Sequence, residues 1–164
     1  MPGQWRFQST SAEKRRVFSD SKTTLHSAFK KEGVEMYFLG DIPRLGAKRY
    51  PNRKALIMGN NSLTYSQLNI LVNRLTYGLL SLGVSPGDRV ALIAEDCLEY
   101  AIINYAVAKC GAILVPMNFR YKKAEMVYVV NNSEPCVIFY GPQFISLIDE
   151  AKAAFDTTIR LVAI

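Results

Sequence analysis

Four short apolar runs constrain this chain more than any other feature: RVALIA at Arg89–Ala94, AILVP at Ala112–Pro116, CVIFY at Cys136–Tyr140 and IRLVAI at Ile159–Ile164. Each has the length of a strand and none alternates apolar with polar residues, so each has to be covered on both faces. Segments of helical spacing lie between them: CLEYAIINYAVAKC from Cys97, one over about Lys122–Val130, and one from Pro142 to Phe155. Strands separated by helices predict an α/β fold, a parallel sheet with helices on both faces.

The preceding region reads as regularly. Asp41 and Pro43 are placed to cap and start a helix that runs to about Tyr50, where Pro51 stops it. KALIMG and SLTY read as a hairpin, with Gly59, Asn60 and Asn61 as the residues that tolerate positive φ. Thr64 followed by Gln67 is a capping box, worth about 1 kcal/mol. Leu68, Leu71, Val72, Leu75, Leu79 and Leu82 then make one apolar stripe, and Gly83 ends the helix. Asp96 with Glu99 is the expected cap of the next helix, which Gly111 closes.

Charge is distributed unevenly. The net +6 comes from residues 1–54, which hold 12 Lys/Arg against 5 Asp/Glu; residues 55–164 hold 8 against 9. The basicity therefore belongs to the N-terminal arm and not to a surface built by the fold, which argues against nucleic acid as a partner. Residues 1–35 are polar and weakly periodic, with one candidate helix around Thr24–Lys31. They read as a solvated tail or partner-docking arm, or, second, as a basic sequence for nucleic acid or anionic lipid. Residues 36–164 form the α/β unit. The most apolar run, Ala101–Met117, is interrupted by Asn104, Lys109 and Gly111 and is too short to span a bilayer, and no secretory signal opens the chain. The expected location is cytoplasmic.

Catalytic signatures are scarce. His26 is the only histidine, and Cys97, Cys110 and Cys136 form no C-x-x-C pair, so they read as reduced, mostly buried thiols. No metal site and no catalytic residue are assigned. Neither G-x-G-x-x-G nor G-x-x-x-x-G-K-[ST] occurs. Glu95 and Asp96 fall at the carboxyl end of a strand, where α/β sheets bind ligands, or serve as an N-cap pair beside the helix dipole.

Family resemblance extends this reading. LTYSQL at Leu63–Leu68 resembles the L-[TS]-Y-x-E-L motif of the adenylate-forming enzymes, which include acyl-CoA synthetases, luciferases and peptide-synthetase adenylation domains. AKCGAILVPMN at Ala108–Asn118 resembles their second motif, L-K-A-G-A-x-x-V-P-[LI]-[ND]. LLSLGVSPGDRVAL between the two and EMVYVVNNSEPCVIFYG after them continue the pattern in register, from about Met36 to the last residue. Gln67 stands where the family has Glu and Cys110 where it has Ala. Asn118, where peptide-synthetase domains have Asp, leans towards an acyl-CoA ligase.

The resemblance implies a parent reaction in two steps. A carboxylate, in some members that of a fatty acid, attacks the α-phosphate of ATP to give an acyl adenylate and pyrophosphate, and the coenzyme A thiol then attacks the acyl carbon and displaces AMP. The family's phosphate loop, Mg²⁺ ligand, ribose ligand and catalytic lysine lie further along its sequences, so the expectation is an N-terminal portion of such an enzyme, inactive alone and prone to self-association. ATP, Mg²⁺ and coenzyme A would be cofactors of the complete enzyme. A non-catalytic binding module of the same fold and a peptide-synthetase domain are the alternatives. Arg120, in the V-P-x-N-x-R stretch, is the one candidate cofactor-binding residue. By resemblance it meets the nucleotide end of coenzyme A; the competing reading is a surface arginine paired with Glu125. Lys122 and Lys123 beside it read first as a solvated helix start, and second as added positive potential.

Overall fold

The structure, a computed structural model, describes residues 38–164. The 1–35 extension and the helix expected near Thr24–Lys31 lie outside the described residues. A 3₁₀ turn at Leu39–Asp41 leads into α1 (Ile42–Arg49), β1 (Lys54–Met58), β2 (Asn61–Thr64) and α2 (Tyr65–Ser81). The alternating part follows: β3 (Arg89–Ile93), α3 (Leu98–Cys110), β4 (Ile113–Pro116), α4 (Lys123–Ser133), β5 (Val137–Tyr140), α5 (Ile145–Ala151) and β6 (Arg160–Ala163).

β1 and β2 form an antiparallel hairpin, irregular between Lys54 and Leu56. The other four strands make a parallel sheet in the order β4-β3-β5-β6. Because successive strand residues point to opposite faces, β3 feeds two cores. Val90 and Leu92, with Val137 and Phe139 of β5, face α2 and α3 through Leu68, Val72, Leu75, Leu79, Ile103 and Val107. Ala91 and Ile93, with Ile138, face Met126 and Val130 of α4 and Ile148 of α5. Val90, Ala91, Leu92 and Ile93 are all completely buried. The unbroken apolar strand is thus the sequence of a strand with two dry faces.

Helix ends follow their chemistry. Thr64 Oγ1 accepts the Gln67 N–H at 3.2 Å while Gln67 Oε1 accepts the Thr64 N–H at 2.8 Å, the full capping box. At the other end of α2 the Val84 N–H reaches the Leu79 carbonyl and the Gly83 N–H reaches that of Leu80, with Gly83 at φ +89°. Gly111, at φ +74°, closes α3 by the same pattern of bonds. A side chain at either position would be held in the left-handed region.

Several local expectations are corrected. Asp41 does not cap α1 from outside: its own backbone is helical, and its carboxylate accepts the Phe38 N–H and pairs with Arg44 at 3.1 Å. The cap of α3 is Cys97, whose Sγ accepts the Tyr100 N–H at 3.3 Å, and not Asp96. In the hairpin only Gly59 takes positive φ, and Asn61 already belongs to β2. α4 runs to Ser133, beyond the expected Val130, and the segment from Pro142 is a short α-helix with a 3₁₀ turn at each end.

Candidate functional site

The parallel sheet presents its carboxyl edge where β3, β4 and β5 end. Backbone bonds extend the ladder one residue beyond the strands: Met117 N–H to Leu92 O at 2.8 Å and Gly141 N–H to Ile93 O at 2.9 Å. Met117 is buried and anchors the loop that follows β4. There the chain turns at once. Asn118 Oδ1 accepts the Arg120 N–H at 2.9 Å, and the Asn118 carbonyl accepts the Tyr121 N–H at 3.0 Å. This Asx turn holds Arg120 at the sheet edge with its side chain exposed. Its guanidinium carbon lies 5.5 Å from the centre of the Phe119 ring, a cation–π contact.

The partner offered by the competing reading is otherwise engaged. Glu125 turns back to accept the Lys122 N–H at 2.8 Å, and Arg120 makes no ion pair among the described residues. Lys122 and Lys123 are both exposed at the start of α4. Glu95 and Asp96 are exposed at the end of β3, on the same edge of the sheet.

The thiols supply no nucleophile here. Cys97, Cys110 and Cys136 are all free. Burial pushes the Cys110 thiol up to about 12, and burial is also the main cause that raises Cys97 and Cys136. Among the described residues no group of three His, Cys, Asp or Glu side chains is placed to hold a metal ion, and no helix is long and apolar enough to cross a membrane.

Two polar anchors escaped the sequence reading. Lys109 of α3 donates to Asn73 Oδ1 of α2 at 2.6 Å, and burial lowers its ammonium below the usual lysine range, opposed by nearby Asp41. Arg89 donates to the carbonyls of Ser133 and Glu134. Both join residues far apart in sequence, and neither has a local motif.

A four-stranded parallel sheet covered by helices on both faces defines an α/β domain, a class of fold that binds ligands at the carboxyl ends of its strands. Which one is decided by comparison with known proteins. The AMP-binding enzyme family matches residues 44–163, and the chain belongs to that family. It is 36% identical over 106 residues to a medium/long-chain-fatty-acid–CoA/3-oxocholest-4-en-26-oate–CoA ligase of Mycobacterium marinum, an alignment covering 65% of this chain and 19% of the relative. It is 37% identical over 94 residues to the long-chain-fatty-acid–CoA ligase FadD13 of Mycobacterium tuberculosis, covering 57% of this chain and 19% of that protein. Among solved structures it resembles the N-terminal domain of FACL13 from Mycobacterium tuberculosis, with TM-score 0.73 and 32% identity over 78% of this chain and 34% of that one. The chain thus spans about a fifth of the length of these curated relatives.

Proposed function

We propose that this chain is the N-terminal α/β scaffold of a cytoplasmic AMP-forming acyl-CoA ligase. In the complete enzyme a carboxylate, a fatty acid being the favoured class, is activated with ATP and Mg²⁺ and transferred to coenzyme A. The observation that carries this reading is the family match over residues 44–163, joined to relatives that are themselves CoA ligases.

Within that reaction the chain's own contribution is structural and electrostatic. The two-faced sheet anchors the turn after β4 through buried Met117, and the turn presents Arg120. Its planar fork suits a phosphate or the adenine face of coenzyme A, and an exposed guanidinium with no ion-pair partner among the described residues breaks no pair there in binding one. Coenzyme A, when bound, supplies the thiol nucleophile. The residues described here include no metal-holding group, so no step through Mg²⁺ is assigned to them. The chain alone is proposed to be inactive. It is also proposed to self-associate through β4 and β6, each paired along one side only among the described residues.

The test is ATP–pyrophosphate exchange with a series of fatty acids. A longer protein that includes this chain is expected to show acid-dependent exchange, and AMP release on adding coenzyme A; the chain alone should show neither. Exchange without any response to coenzyme A would refute the ligase reading, and turnover by the chain alone would refute its role as scaffold. Light scattering on the chain alone checks self-association, and a strict monomer would refute it.

A further inference from the structure

Residues 38–49 lie on the outside of the α2–α3 pair, and two glycines make the contact. A side chain on Gly40 would come within 2.7 Å of Lys109 Cα, so this backbone rests directly on that of α3. A side chain on Gly46 would run into the Tyr65 ring at the start of α2. The segment therefore runs along α2 from the level of Asn73, which holds Lys109, back to Tyr65. Tyr65, Asn69 and Asn73 follow each other at intervals of four on one helix face, which puts Asn69 under the middle of the segment.

This seat is unlike the rest of the interior. The side chains that build the two apolar cores all come from β1 onward, whereas between 38 and 49 the buried residues are Gly40 and Pro43. On the helix face that carries Tyr65 and Asn73, Asn69 Oδ1 is buried with no hydrogen-bond donor among the described residues, and the Lys109 ammonium is partly removed from water. Docking therefore desolvates polar groups, a cost offset in part by the Asp41 carboxylate near Lys109, and among the segment's own apolar side chains it buries that of Pro43 while Leu45 and Ala47 stay half-buried. The far boundary is sharp. Tyr50 leaves helical geometry, and the next residues are fastened to α2 separately, by Ser66 N–H to Pro51 O and Tyr65 N–H to Arg53 O.

We propose that residues 38–49 form a strap that docks on and leaves the α2–α3 face as a unit, hinged at Tyr50, while the sheet and its helices stay folded. Undocking returns water to Asn69 and Lys109 and frees the point at which residues 1–37 join the domain. Such sub-global opening is the behaviour of a segment with few buried apolar contacts.

Hydrogen exchange on the full chain tests this, with peptides from 38–50 compared with peptides from α2 and β3. Gly40→Ala should lower strap protection by about tenfold or more, since the contact is backbone on backbone. Asn69→Leu should raise it, because it removes the orphaned acceptor. Protection in β3 should stay unchanged in both. If strap and β3 protection shift together in either variant, or if strap protection moves in neither, the strap is part of the global folding unit and the proposal fails.

Discussion

Arg89 holds Glu134 in a left-handed conformation. Glu134, at φ 46°, offers the Arg89 guanidinium its carbonyl at 3.2 Å and its carboxylate at 3.4 Å, while the Ser133 carbonyl accepts from Arg89 Nε at 2.8 Å. The first residue of β3 thereby closes the last turn of α4, supplying donors to carbonyls that the helix itself leaves open. Replacing Arg89 with Met should destabilise the chain by about 1–2 kcal/mol. Glu134→Gly should be neutral or stabilising by up to about 1 kcal/mol, since glycine relieves the left-handed backbone and the exposed carboxylate contact is weak. Urea midpoints of the two variants moving the same way would contradict this account.

The capping box of α2 permits a test of charge alone. Thr64→Ala should cost about 1 kcal/mol, because it removes the acceptor for the Gln67 N–H. Gln67→Glu keeps the reciprocal bond and adds a negative charge near the helix N-terminus, so it should stabilise by about 0.3–1 kcal/mol at low salt. Chemical denaturation at two ionic strengths checks both, and only the second effect should shrink with salt.

Cys110 should make stability fall at alkaline pH. Its thiol is raised from 9.0 to about 12 by burial, so the folded state keeps a proton that the unfolded state gives up. The contribution is complete below pH 9 and is lost as pH rises from there towards 12. Subtracting the pH profile of Cys110→Ala from that of the parent isolates this slope. A difference that grew with pH in the opposite sense would refute it. The same burial predicts that Cys110 reacts with thiol reagents last of the three cysteines.

The proposed coenzyme A contact of Arg120 is tested in a longer protein that includes this chain. Arg120→Ala should raise KM for coenzyme A by about tenfold or more, the loss of a charge-assisted bond, with little change in kcat and none in the pyrophosphate-exchange step. Arg120→Lys should recover the charge but not the paired bonds, and should fall between the two. An unchanged KM would remove Arg120 from the coenzyme A site.

The fold was legible where one residue and its near neighbours decide the outcome. Gly83 and Gly111 announce helix ends because few residues tolerate their backbone, and Thr64 with Gln67 announces a helix start because both partners lie within one turn. The misplaced cap of α3 shows the limit. Asp96 is the better capping residue by type, but the chain reaches β conformation at Cys97, φ −150°, and the helix begins one residue later than chemistry alone suggests. That Arg120 falls just past β4 was legible from the end of the apolar run at Pro116, whereas the turn that Asn118 makes with it was seen only in the structure.

By itself, then, the sequence determined the class of fold: apolar strands that need cover on both faces, helices long enough to provide it, and glycines that stop those helices. Only the tertiary structure decided which distant groups meet. It set Lys109 against Asn73, 36 residues away, and Arg89 against Ser133, 44 away, and it laid Gly40 on the backbone of α3. Backbone propensity and capping act over a few residues and leave a mark in their spacing. A hydrogen bond between remote elements depends on how the sheet orders its strands and which face each helix covers, and that order is fixed only when the whole core is packed.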